Sequence, residues 1–364
     1  MVWKQEENIG RPLCFTAGIL LGLTAREAQL WLVAATLGFL LSYTHFYREK
    51  RLKNEKLFLF CIFATGMLCG LLAEDDASLW HWKRAEEWAE TLRSYIRSLP
   101  YRDSTTRELL CALLTGDRSG LPAELKTAFR QSGASHLLAL SGLHLGILYL
   151  AFSWVLTLAG NAPVWKKTRG VLLILLCGVY TLAVGAGPSI VRAWLFICLR
   201  EIALLLERKV HPADILASAL MLQEALYPPA VREIGFQLSY LAMTGIVFLY
   251  PRLQKWWPEE SGASPAVRRA RRTLLSKGLH KVWDLCALSI SCQVFTGPLA
   301  WWKFGSFPLF FLLTNLLCMP LMTLIMAGAL LALATRMPLL IIVNEACCRA
   351  LVFILETIAA LSCR

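Results

Sequence analysis

Phe307 to Thr335 reads FPLFFLLTNLLCMPLMTLIMAGALLALAT, without one Asp, Glu, Lys or Arg. A helix rises 1.5 Å per residue, so about 20 such residues cover the ~30 Å hydrocarbon layer of a bilayer. Leu57 to Ala73, LFLFCIFATGMLCGLLA, is charge-free in the same way. The whole chain is 57% hydrophobic and only 17% charged, whereas a soluble domain carries about a quarter charged residues. The expected fold class is all-α: a polytopic helical membrane protein with broken or re-entrant helices.

Working outward from these runs gives about eleven candidate spans, near 12–24, 29–47, 57–73, 136–160, 171–186, 189–207, 213–227, 235–250, 284–302, 308–334 and 339–361. The last is interrupted by Asn344, Glu345, Arg349 and Glu356. They group into an N-terminal membrane part (1–73), an extracytoplasmic amphipathic helical segment (74–133) and a second transmembrane domain (134–364). Glu6 and Glu7 stand between Lys4 and the first apolar stretch, and more apolar segments follow at once. That favours a retained span over a cleaved signal peptide. The 12 cysteines lie mostly in apolar runs and form no CxxC pair. They read as small buried hydrophobes.

The net charge of +12 is explained first by the bias of Lys and Arg toward cytoplasmic loops. Residues 48–56 hold Arg48, Lys50, Arg51, Lys53 and Lys56. Lys166, Lys167 and Arg169 form a second group, and residues 251–282 carry a third around Arg268–Arg272. With eleven spans all three groups face the cytoplasm, Glu74–Asp76 faces the other side, the N-terminus is inside and the C-terminus outside. A nucleic-acid role for Arg268–Arg272 competes with anchoring on anionic lipid, which basic loops of this kind commonly perform.

Within 74–133, Trp80 to Leu99 has helical apolar spacing through Trp80, Trp88, Leu92, Tyr95 and Leu99, and is expected at the lipid headgroups. Thr105 and Glu108 suggest a capping box for a helix ending at Gly116. A third helix starts at Pro122 with Leu121, Leu125, Ala128 and Phe129 on one face.

The stretch Thr115–Leu148, TGDRSGLPAELKTAFRQSGASHLLALSGLHLGIL, passes from a polar turn into an apolar span. Ser135, His136, Ser141, Gly142 and His144 interrupt that span. Gly142 weakens a helix and Ser141 offers a competing hydrogen bond. A break at membrane depth persists only where it is packed in protein or lines a wet cavity. A pore-lining element and a packed kink both fit. Arg192 follows a second break, Gly185–Ser189 with Pro188. An arginine at that depth costs several kcal/mol unless it snorkels, pairs or faces water. It fits a phosphate contact, an interfacial anchor, or a partner for Glu224 or Glu233. Gln237, Ser239, Gln293, Asn315 and Asn344 are uncharged polar residues in spans, suited to interhelical hydrogen bonds. Ser141 and His144 also admit an intramembrane hydrolase, although no oxyanion site is evident. The six histidines show no metal-ligand spacing.

These residues carry a resemblance. GDRSGL at 116–121, followed by FRQSGASHLLALSGLHLGIL at 129–148, resembles the competence domain of the ComEC-type DNA-uptake channels. GAGPSIVRAW (185–194), GFQLSYLAMTGI (235–246) and GPLAWWKFGSFPLFFLLTNLLCMPL (297–321) agree in the same order. The resemblance implies an inner-membrane channel that passes single-stranded DNA inward during natural transformation. His136, Ser141, His144, Arg192, Gln237, Ser239, Gln293 and Asn315 would line or shape the path, and Gly116, Asp117, Arg118, Gly142 and Pro188 would form its structural motif. Residues 74–103 are too short for the β-barrel that larger members carry there, and the histidine-rich motif of a metallo-β-lactamase-like domain is missing from the quoted sequence. Nuclease activity is therefore not implied, and neither a cofactor nor a metal is expected. Membrane lipid, a DNA receptor outside, and a cytoplasmic ATPase or single-strand-binding protein are the implied partners, since no GxxxxGK[ST] motif is present. A small-solute transporter is the remaining alternative.

Overall fold

The computed structural model describes residues 3–24, 55–71, 83–138, 140–158, 160, 162–256, 274–305 and 310–362. Among them every regular element is helical. The helices are α1 (Trp3–Thr24), α2 (Glu55–Leu71), α3 (Lys83–Arg97), α4 (Ser104–Thr115), α5 (Ala123–Gln131), α6 (Ser135–Leu138), α7 (Gly142–Thr157), α8 (Pro163–Ala183), α9 (Pro188–Leu205), α10 (Pro212–Leu226), α11 (Ile234–Phe248), α12 (Tyr250–Gln254), α13 (Leu274–Phe304), α14 (Phe311–Thr335) and α15 (Pro338–Ser362). Among the described residues four stretches are long and apolar enough to cross a membrane: Ile234–Gln254, Gly278–Phe304, Phe311–Thr335 and Pro338–Leu361. Shorter apolar helices cover Gly10–Leu23, Ile62–Leu71 and Gly142–Thr157. The expected span at 29–47, Trp80 and the Arg268–Arg272 cluster lie outside the described residues. Lys166, Lys167 and Arg169 sit in the first turns of α8 rather than in a loop. Pro163, whose fixed φ suits a helix start, brings that start forward.

The chain divides into two units, Met1–Trp82 with Val191–Tyr240 and Lys83–Ile190 with Leu241–Arg364. In the first unit α1 and α2 lie against each other over four glycines. A Cβ on Gly18 would meet the Phe63 carbonyl oxygen, and one on Gly66 would meet that of Phe15. Gly22 and Gly70 close the second turn of the same seam. Phe15 faces Gly66 and Ile19 faces Gly70, so the two helices run parallel. Small residues four apart let helix backbones approach this closely, and in lipid that contact replaces the hydrophobic drive. α10 packs on α1.

In the second unit α14 and α15 form an antiparallel hairpin. Asn344 Nδ2 donates to the Ile325 carbonyl oxygen at 3.3 Å, beside Gly328. The core joins Met322, Ile325, Ala329, Leu351 and Leu355 of this hairpin to Ile96, Leu109, Leu113, Leu125 and Phe129. Residues 96–132 thus contribute a large share of this core. α3 buries Ala89 and Ile96, with Leu99 just beyond it, while Trp88 and Tyr95 stay exposed. The α4 cap is Asp103, whose carboxylate accepts from the Thr105 and Thr106 amides, instead of a Thr105–Glu108 box. Glu108 accepts from Arg97 Nε and Nη2 at 3.2 and 3.1 Å. α5 buries Leu125, Ala128 and Phe129, with Leu121 beside them, as the spacing predicts. Gly245 of α11 packs directly on the Ser291 carbonyl of α13.

Candidate functional site

The break in the 136–160 span is built by a turn more than twenty residues upstream. α6 ends at Leu138, Ser141 is extended (φ −120°, ψ 172°), and α7 starts at Gly142. Ending a helix inside an apolar layer exposes carbonyls that need donors. Arg118 supplies one, its Nε donating to the Leu138 carbonyl oxygen at 3.1 Å. Gly116 takes the left-handed conformation (φ 78°), and a Cβ there would lie 2.7 Å from Leu140 Cδ1. Glycine is therefore needed twice, for φ and for space. Asp117 Oδ1 accepts from the Ser119 amide at 3.0 Å, and its Oδ2 lies 3.8 Å from Arg93 and 4.0 Å from Arg97. Tyr180 of α8 donates to the Leu114 carbonyl at 2.7 Å, tying the same turn to a further helix.

On the far side of the break His144 Nδ1 accepts from the Ser141 amide at 3.3 Å and lies 3.0 Å from Ser141 Oγ. An Nδ1 that accepts leaves the proton on Nε2. That atom is buried without a hydrogen-bond partner among the described residues, and His144 is 1% exposed. The pair acts as an N-cap: one ring nitrogen satisfies an amide that the helix start leaves open. His136, by contrast, is exposed, with Nδ1 3.1 Å from the Gly133 carbonyl oxygen.

Arg192 belongs to a second constellation, in the first unit. Gly185 (φ 86°) and Ala186 (φ 47°) end α8 in the left-handed region, and the Ala186 amide donates back to the Thr181 carbonyl oxygen at 2.9 Å. Pro188 then opens α9. Arg192, 7% exposed, holds its guanidinium carbon 5.8 Å from the centroid of the Tyr240 ring. Tyr240 donates to Gln223 Oε1 at 2.8 Å and packs on Phe236 with ring centroids 4.7 Å apart. Beside Gln223, the fully buried Glu224 accepts from Thr16 Oγ1 at 2.8 and 3.0 Å. A cation over an aromatic face gains about 2 kcal/mol or more when desolvated. Sequence reasoning missed Tyr240, Gln223 and Thr16. Tyr240 was within reach of it, three residues after Gln237 on the same helix face. Gln237 Nε2 donates to the Val231 carbonyl oxygen at 2.8 Å and so holds the 3-10 turn Pro228–Arg232, while Ser239 is buried.

Asn315 Nδ2 of α14 donates to Ser289 Oγ of α13 at 3.3 Å, and Asn315 Oδ1 is buried without a partner among the described residues. Gln293 stands one turn beyond Ser289 and is half-buried. No cluster of three or more His, Cys, Asp or Glu able to hold a metal occurs among the described residues.

The Competence protein family model matches residues 113–363. The chain belongs to this family. The match takes in the Gly116–Arg118 turn, the Ser141 break, Arg192 and the α14–α15 hairpin. ComE operon protein 3 of Bacillus subtilis (strain 168) is 31% identical over 154 residues, 42% of this chain and 19% of that protein. The uncharacterized protein YcaI of Escherichia coli (strain K12) is 25% identical over 231 residues, 62% of this chain and 28% of that protein. The chain thus spans about a fifth of the length of the first of these proteins and under a third of the second. No solved structure matches it.

Proposed function

We propose that this chain is the membrane channel part of a competence system, passing single-stranded DNA across the bacterial cytoplasmic membrane during natural transformation. The observation that carries the proposal is the Competence match across the membrane helices. The buried polar groups fit it. A phosphodiester entering a low-dielectric layer needs fixed cations that offset part of its desolvation, and Arg192 is held ready by the Tyr240 ring. The broken helix at Leu138–Gly142 is the kind of backbone that persists at membrane depth where it is packed in protein or borders a wet cavity.

The topology we propose keeps eleven spans as the base count, with residues 251–282 and the N-terminus cytoplasmic and the C-terminus outside. The parallel α1–α2 pair supports an odd number of crossings through residue 71, because two helices pointing the same way require the chain to return between them. A receptor outside and a cytoplasmic ATPase or single-strand-binding protein complete the system. In a competent strain without a second copy, deletion is expected to abolish transformation while DNA still binds outside the membrane. Unchanged transformation would remove the proposal.

A second proposal, an intramembrane hydrolase, is favoured only by the 3.0 Å approach of Ser141 Oγ to His144. The ring nitrogen involved also accepts the Ser141 amide, which suits a cap better than a general base. A serine-reactive phosphonate that labels the wild-type chain but not Ser141→Ala would support the hydrolase.

A further inference from the structure

Residues 95–132 make contact with both ends of α14. At one end the Tyr95 hydroxyl donates to the Leu333 carbonyl oxygen at 2.9 Å. Arg336, in the turn after α14, lies over the Tyr95 ring at 4.7 Å and donates from Nε to its hydroxyl at 3.1 Å. At the other end Thr314 Oγ1 donates to the Ser132 carbonyl oxygen at 2.7 Å. Thr314 and Leu333 are separated by about 29 Å of helix at 1.5 Å per residue, which is the thickness of a hydrocarbon core. Between the two ends the segment follows α15. Asn344 Nδ2 is 3.5 Å from the Tyr101 hydroxyl, and the Arg102 amide is 3.4 Å from Glu345 Oε2. Leu109 and Leu125 then line one cavity with Val352 and Phe353.

We infer that residues 95–132 are an intramembrane element that crosses the layer beside α14 and α15, and that the cleft between Arg102, Asp103, Glu345 and Arg349 is a water-filled site at membrane depth. The inference rests on α14 and α15 being membrane spans. Arg349 lies about 17 Å along α15 from Pro338, close to the middle of the layer, and its side of the helix is exposed. An arginine and a glutamate facing hydrocarbon there would each cost several kcal/mol. The four charged residues balance, two of each sign. The cleft has a volume of about 290 Å³, room for several waters at roughly 30 Å³ each, and its polar walls supply their partners. A second cavity of similar size adjoins it, with Glu124 and Glu356 in its lining. Water and small hydrated ions are the matter this site takes.

Single cysteines at Ser94, Gln131, Leu313, Met337, Val343 and Arg349, in a chain whose native cysteines are replaced, test this in sealed vesicles of both orientations. With a membrane-impermeant maleimide, Ser94 and Met337 are expected to label from one side and Gln131 and Leu313 from the other. A small charged methanethiosulfonate should modify Arg349→Cys and leave Val343→Cys untouched. If Leu313 and Met337 label oppositely while Ser94 and Gln131 label together, the crossing is wrong. If Leu313 and Met337 label from one side, α14 is not a span and the underlying topology fails instead. An inert Arg349→Cys means that lipid or a partner protein closes the cleft, and overturns the water-filled site. Should the cysteine replacements impair folding, trypsin on the native chain gives the same answer. Cleavage after Arg97 and after Arg130 should require opposite vesicle orientations; cleavage after both in one orientation overturns the crossing.

Discussion

Arg118 Nε and the Leu138 carbonyl oxygen are joined by a 3.1 Å hydrogen bond across twenty residues of chain. Through it a surface-like GDR turn becomes the cap of a helix broken in an apolar run. Losing the donor leaves a buried carbonyl unsatisfied, a cost of about 1–3 kcal/mol. Arg118→Ala is therefore expected to lower membrane levels of the chain several-fold, and Arg118→Lys to restore them in part. Gly116→Ala should act in the same direction, because the residue has a positive φ and sits against Leu140. Quantitative immunoblots of washed membranes check both. Normal abundance and normal melting in detergent for Gly116→Ala would show that the turn does not support the break.

The α1–α2 seam gives a second test. Gly18→Val and Gly66→Val place side-chain atoms against carbonyl oxygens of the facing helix, so the helices must part. Each should lower the detergent melting temperature by several degrees. Gly146→Val is the control, since nothing lies within 4 Å of its Cβ position, and it should be tolerated. Equal effects at all three sites would mean that the seam is not specifically close-packed.

Ser141→Ala removes the hydroxyl beside His144 and should cost about 1 kcal/mol, the usual size of a lost N-cap. Ser141→Thr and Ser141→Asp keep an oxygen there and should be milder. This ordering in a thermal melt is what a cap predicts. A hydrolase would instead lose all activity with Thr and Asp as well as Ala, at unchanged stability.

Much of this structure was legible in residue types. The apolar runs gave the helices, Gly116 gave the end of α4, and Ser141–Gly142 within LALSGLHL gave the break. The role of residues 96–132 was not legible, for a physical reason. A helix with one apolar face does not specify which other helices that face will meet. The Asp103 cap was overlooked because Thr105 and Glu108 form a competing pattern two residues on. Glu108 is drawn away to Arg97, a contact that depends on how α3 meets α4. The Arg192–Tyr240 pair joins residues 48 positions apart, and no local pattern encodes that. The four glycines of the α1–α2 seam were readable as two four-residue spacings in apolar helices, and were passed over.

Passage of DNA through this chain is tested most directly at Arg192. The measurement is entry of radiolabelled DNA into a nuclease-protected cytoplasmic form, taken together with membrane abundance of each variant. Arg192→Ala should insert normally and reduce entry by tenfold or more. Arg192→Lys should recover part of it, since charge remains while the planar fork is lost, and Arg192→Glu should be lower than Ala because it repels phosphate. Tyr240→Phe keeps the ring under the guanidinium and should stay close to wild type. Wild-type entry by Arg192→Glu at wild-type abundance would contradict the account.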